Sequence, residues 1–156
     1  MAYFAKLDSN NKILAVLKAD DQDILNNGGE QSEQAAKYFE KTVPLNFPPV
    51  GVKYVQTSFN NNFRKMFARV GGSYDPNLDM FIEEKPYDSW TLDSNGDWQA
   101  PIAKPDSSHQ YNGHNVIFLR WIETDQKWTG FAHTDDPNVD VEVQWNTTSS
   151  VWEPLL

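Results

Sequence analysis

All six tryptophans of this 156-residue chain fall in three pairs, Trp90 with Trp98, Trp121 with Trp128 and Trp145 with Trp152, each enclosing a polar stretch rich in Asp, Asn, Thr and Ser. Large side chains on both sides of a turn-forming stretch are the pattern of an antiparallel hairpin whose rings meet across the strands. The spacing of seven in the last two pairs predicts facing Trp residues, two further cross-strand pairs, and two-residue loops at Thr124-Asp125 and Thr148-Ser149. The spacing of eight in the first pair coincides with the one glycine of these stretches, Gly96 in Asp93-Ser94-Asn95-Gly96-Asp97. A three-residue loop closing on a left-handed Gly fits there. Such pairs are read first as the cross-strand core of a sheet, and alternatively as indoles kept partly exposed for stacking on a sugar ring or a neighbouring subunit.

The rest of the chain also reads as strand and turn. Residues 2–7 and 13–17 flank the turn Asp8-Ser9-Asn10-Asn11-Lys12 and predict a hairpin. After the loop Asn26-Asn27-Gly28-Gly29, Ser32 is placed to cap a helix over 32–43, with Glu33 in its first turn, Lys41 in its last, and Ala35, Phe39 and Val43 on one face. Pro44 ends it. Strands are expected at 52–59 and 64–70, with a break at Gly71-Gly72 and a turn at Asp75-Pro76-Asn77. In residues 139–145 alternation is complete, placing three valines and Trp145 on one face, and Ile117, Leu119 and Trp121 repeat it. The fold class expected is mainly β, antiparallel hairpins or a small sandwich with one short helix. A core domain over 1–105 and Trp-paired hairpins over 106–156 are expected.

Thirteen basic against twenty-two acidic side chains give a net charge of −9, a field that repels phosphate backbones and argues against nucleic acid as a partner. Without cysteine there is neither disulfide nor thiolate metal site. No secretory leader or long apolar run is seen, which points to a chain made in the cytoplasm and held by no membrane. Catalysis lacks an obvious constellation: His109 and His114 straddle the loop-like Tyr111-Asn112-Gly113, His133 precedes Asp135-Asp136, and no Gly-x-Ser-x-Gly, phosphate loop or dinucleotide fingerprint occurs. Asp136, Asn138 and Asp140 begin like a calcium loop, but Val141 and Thr147 stand where an EF-hand needs Gly and Glu. No enzyme activity, cofactor or metal site is assigned. Basic residues cluster once, at Arg64, Lys65 and Arg69. They read as the solvated face of an edge strand or as a dock for an acidic neighbour.

Several segments together resemble short proteins encoded by marine tailed bacteriophages, notably those of cyanobacteria. They are Met1-Ala2-Tyr3-Phe4-Ala5-Lys6-Leu7, Tyr54-Val55-Gln56-Thr57-Ser58-Phe59, Phe63-Arg64-Lys65, Tyr74-Asp75 with Asp79 and Phe81, Lys85-Pro86-Tyr87-Asp88-Ser89-Trp90 and Trp98-Gln99-Ala100-Pro101. The resemblance covers residues 1–105 and carries no catalytic residues. It implies a component of the virion that decorates or cements capsid, neck or tail, with other virion proteins or copies of itself as partners. The alternative is a carbohydrate-binding tail or fibre accessory that uses exposed Trp on host polysaccharide. The candidate interaction surface is Trp121, Trp128, Trp145 and Trp152, together with Arg64, Lys65 and Arg69.

Overall fold

The first hairpin forms where Asp8 can organise its turn: its carboxylate accepts from the backbone N–H of Asn10 and Lys12, closing β1 (Ala2–Leu7) on β2 (Ile13–Ala19). The computed structural model describes all residues from Met1 to Leu156, and it is mainly β, with antiparallel sheets and two helices. Two compact units make up the chain, Met1–Lys85 with Ser94–Asp97, and Pro86–Asp93 with Trp98–Leu156. The expected division at residue 105 therefore lies inside the second unit. The cause is Trp90, which packs on Trp121 and Trp128 and joins the early hairpin to the later ones.

In the first unit, β3 (Lys53–Thr57) pairs with β1 to give a three-stranded sheet of order β2-β1-β3. Alternation along β1 sends Ala2 and Phe4 to one face and Ala5 and Leu7 to the other, so the sheet is covered on both sides. On the first face lies α2 (Glu33–Thr42), capped by Ser32 Oγ accepting from Ala35 N, with Ala35 and Phe39 buried against Phe4 and Tyr54. Beside it is a second, shorter helix, α1 (Asp21–Asn26), capped by Asp20 and anchored by Ile24. Lys6 shares this face, 1 % exposed, its Nζ donating to Phe47 O at 2.9 Å and lying 5.6 Å from the centre of the Tyr54 ring. A Cβ on Gly51 would come within 2.5 Å of Lys6 Cγ.

The opposite face is covered by residues 60–72 and by the hairpin β4 (Ser73–Asp75) and β5 (Met80–Ile82). The strand expected over 64–70 does not form. Arg64 and Lys65 sit at φ 54° and 69°, and Ala68 N donates to Thr57 Oγ1 and Phe67 N to Asn61 Oδ1 instead of to a neighbouring strand. The alternation of this segment is real, since Met66 and Ala68 face the core. It belongs to an extended cover held by side chains.

The second unit is built on a five-stranded sheet of order β12-β11-β10-β9-β8, comprising β8 (Gln110–Tyr111), β9 (His114–Ile122), β10 (Lys127–His133), β11 (Asp140–Asn146) and β12 (Val151–Pro154). The hairpin β6 (Thr91–Leu92) and β7 (Trp98–Gln99) precedes it. Trp121 pairs with Trp128 and Trp145 with Trp152 in the register read from the spacing. The loops are longer than expected, residues 123–126 and 147–150, and both end on a left-handed residue, Gln126 and Ser150. Two-residue loops need positive φ at the first position or at both, which β-branched Thr at the first position disfavours, so each hairpin gives up one pair. In the first hairpin Leu92 rather than Trp90 faces Trp98, and the loop spans 93–97 with Gly96 left-handed at φ 75°. Asn112-Gly113, read as loop, is a two-residue turn with both φ positive, joining β8 to β9.

One irregularity redirects β9. Between the pairs Thr129–Arg120 and Phe131–Ile117, the single residue Gly130 faces both Phe118 and Leu119, a β-bulge. The expected inward series Ile117, Leu119, Trp121 is therefore broken, and Val116 takes the inward place of Ile117.

Candidate interaction surfaces

The tryptophans expected as contact residues are spent on the core of the second unit. Trp121, Trp128 and Trp152 are buried, and Trp145 is half-buried beneath His109, whose ring centre lies 4.8 Å away. Their polar ends are also used: Trp121 Nε1 donates to Glu123 Oε2 at 2.7 Å, Trp128 Nε1 to Ile102 O at 2.8 Å and Trp152 Nε1 to His109 O at 3.1 Å. The reading of the pairs as the cross-strand core is borne out, and of the four only Trp145 keeps the partial exposure of the alternative reading. The bond from Trp152 to His109 also brings the two outer strands of the sheet, β12 and β8, towards one another.

Arg64, Lys65 and Arg69 are likewise engaged within the first unit. Arg64 is only 12 % exposed, donates through Nη1 to Gln56 O at 2.9 Å and pairs with Asp79 at 2.7 Å. It thereby caps a carbonyl of β3. Lys65 Nζ donates to Asn95 O, Gly96 O and Asp97 Oδ1, a turn clamp that the sequence did not announce. Arg69 pairs with Glu83 on the surface. The trio is not one solvated strand face.

Each histidine in the second unit meets one aspartate: His109 with Asp106, His114 with Asp135 and His133 with Asp140. Asp106 is held below the usual carboxylate range, first by the Ser108 hydroxyl and backbone N–H and then by His109. The calcium-like run is an acidic turn: Asp136 Oδ1 accepts from Asn138 N, and Thr134 Oγ1 donates to Val139 O. Nowhere do three His, Asp or Glu side chains gather as a metal-binding group.

Four of the large hydrophobic residues left exposed are aromatic: Phe47, Phe59, Tyr87 and Phe118. In the first unit Phe59 is largely exposed but stacks on Tyr3, with centroids 5.9 Å apart, and meets Phe67 edge-on at 5.5 Å. In the second, Phe118 on the bulge is 77 % exposed at φ 53°, beside Ile117 and its cross-strand partner Phe131. Sequence reasoning missed Phe118 because a bulge reverses the facing of residues without marking the sequence, although Gly130 within a strand is the kind of signal that accompanies one. No protein-family model, no curated protein and no solved structure matches the chain.

Proposed function

We propose that the protein is a structural component of a tailed-bacteriophage particle, made in the host cytoplasm and attached to capsid, neck or tail subunits. The observation that supports this best is the use of aromatic residues. Five of the six tryptophans go into or against the core of the second unit, while Phe118 stays 77 % exposed on a bulge. Large rings held rigidly at the surface are the anchors of protein interfaces. The sequence resemblance to short proteins of marine tailed phages supports the same reading, and the net charge of −9 favours neither nucleic acid nor an anionic lipid surface. In this role the chain contributes contacts and no catalysis.

Mass spectrometry of purified particles tests it. The chain should be present at a copy number in step with capsid, neck or tail symmetry. Its absence from particles that contain the other structural proteins would overturn the proposal.

A further inference from the structure

We infer that the solvent face of the second unit's sheet, centred on Phe118, is a docking site for a basic protein segment that carries large aliphatic side chains. The claim specifies a surface for the assembly role above and rests on that reading for the partner being a protein. Three observations carry it.

The first is conformational. A bulky aromatic in the left-handed region is strained, and any L-residue other than Gly, Asn or Asp enters that region at a steric cost. Phe118 carries the strain at φ 53° with 77 % of its surface in water, so the intact chain gains little from the ring in return. Strain of this kind persists where surrounding structure enforces it and is concentrated at functional positions. The enforcement here is visible: a Cβ at Gly130 would come within 2.6 Å of Val116 Cγ1 and 3.0 Å of Ile117 O, so the two strands close on each other because position 130 has no side chain.

The second is the surroundings of the ring. Val116 and Ala132 point into the core, which puts their neighbours Ile117 and Phe131 on the opposite face as a cross-strand pair, both half-exposed. Phe118 thus follows directly along the chain on an apolar cross-strand pair, Ile117 with Phe131, rather than standing as one stray ring. A group of this kind on an otherwise polar face marks a contact site.

The third is charge, and it selects the occupant. Pro86–Asp93 and Trp98–Leu156 hold ten acidic and three basic side chains, against twelve and ten in the rest of the chain. Around the apolar group the sign is the same. Glu142 stands opposite Phe131, and Asp140 stands two residues on, opposite His133. The two basic side chains of that face are already paired, Arg120 with Glu142 at 2.8 Å and Lys127 with Asp125 at 3.3 Å. A second copy would bring two such acidic surfaces together, whereas a segment with Lys or Arg flanking aliphatic side chains matches both the ring and its rim.

The test is an NMR titration of the ¹⁵N-labelled full chain with a synthetic peptide of alternating Leu and Lys. Controls replace Lys by Glu or Leu by Ser. The expected result is saturable shifts centred on Ile117, Phe118, Phe131 and Glu142, absent with both controls, weakened at least tenfold by Phe118→Gly and a few-fold by Glu142→Gln. Phe118→Gly should unfold at the same or a higher denaturant concentration than the parent, because the residue removed is strained and exposed. No shift at millimolar peptide would overturn the inference. So would shifts confined to residues 134–139 and indifferent to Phe118→Gly, self-association that Phe118→Gly abolishes, or a Phe118→Gly chain less stable than the parent. These readings use the isolated chain, so their failure is distinct from the chain's absence from particles.

Discussion

Trp121 and Trp128 face one another across β9 and β10 with ring centroids 5.5 Å apart and planes at 65°, and Trp145 and Trp152 repeat the relation across β11 and β12 at 5.3 Å and 64°. Edge-to-face packing of this kind adds about 0.5–1.5 kcal/mol beyond the area the rings bury. Truncating a buried indole to alanine costs about 3–5 kcal/mol, so Trp128→Ala should bring the second unit close to unfolding. A finer comparison separates two neighbours in the same cluster. Trp128 Nε1 donates to Ile102 O, whereas Trp90 Nε1 is buried without a partner. Trp128→Phe therefore breaks a hydrogen bond and strands a carbonyl, while Trp90→Phe removes an orphan donor. Urea unfolding followed by tryptophan fluorescence should rank Trp90→Phe as the milder change, and the reverse order would refute this account of the two indoles.

Arg64 and Arg69 lie five residues apart and should behave very differently. Arg64 is mostly buried, caps Gln56 O and pairs with Asp79, so its removal leaves a carbonyl of β3 unpaired beneath the covering segment. A loss of about 1–3 kcal/mol is expected for Arg64→Ala. Arg69 and Glu83 form an exposed pair, for which about 0–1 kcal/mol is the usual range. Equal denaturation midpoints for the two variants would show that Arg64 is no more than a surface charge.

The Trp register was legible because it depends on local spacing alone: seven residues fix which rings can meet once the chain turns back. The same holds for α2, whose cap Ser32 and buried Ala35 and Phe39 lie within one short window. What the sequence concealed depends on partners distant along the chain. Residues 64–70 alternate like a strand, yet the N–H of Ala68 is taken by Thr57 and Lys65 is clamped to the turn at 95–97, contacts that no pattern within the segment announces. Helix α1 is only six residues long, too short for periodicity to register, although Asp20 ahead of Asp21 and Asp23 carries the N-terminal signal. Phe118 was hidden for another reason: a bulge shifts facing by one residue, so an alternating sequence gives the wrong side with full regularity.

The Arg64, Asp79 and Tyr74 group makes stability depend on pH at both ends. The Tyr74 hydroxyl donates to Asp79 Oδ1, and this bond, followed by that from Arg64, holds the Asp79 carboxyl below its ordinary value. Tyr74 moves the opposite way, raised first by burial and then by its bond to Asp79. Folded Asp79 binds its proton less tightly than the unfolded chain does, so its contribution is whole above about pH 4 and is lost as pH falls through the depressed folded value. Folded Tyr74 binds its proton more tightly, so its contribution is whole below about pH 10 and is lost as pH rises through the raised value. Burial also raises Tyr54, whose hydroxyl donates to Val43 O, and it adds to the alkaline loss. Denaturation midpoints measured across pH should show Asp79→Asn flattening the acid limb and Tyr74→Phe reducing, without abolishing, the alkaline one. An acid limb unchanged in Asp79→Asn would remove this group from the explanation.

Glycine substitutions distinguish a backbone that needs freedom from one that needs space. Gly113 is left-handed at φ 80° in the turn between β8 and β9, and a Cβ there meets nothing within 4 Å. Alanine at 113 faces only the conformational penalty, about 1–2 kcal/mol. Gly130 is different: its φ lies outside the left-handed region, and its Cβ would strike Val116 Cγ1 at 2.6 Å and Ile117 O at 3.0 Å. One of these contacts is backbone, which cannot rotate aside, so the strands must part at the bulge. Overpacking of this kind costs about 1–3 kcal/mol, and part of that falls on the Phe131–Ile117 and Thr129–Arg120 pairs on either side. The two variants should therefore differ in location more than in size. Amide hydrogen exchange should quicken in Gly113→Ala only near residues 110–115, and in Gly130→Ala along β9 and β10 from 116 to 132. Fast exchange confined to the β8 turn in both would mean that the bulge does not depend on the missing side chain at 130.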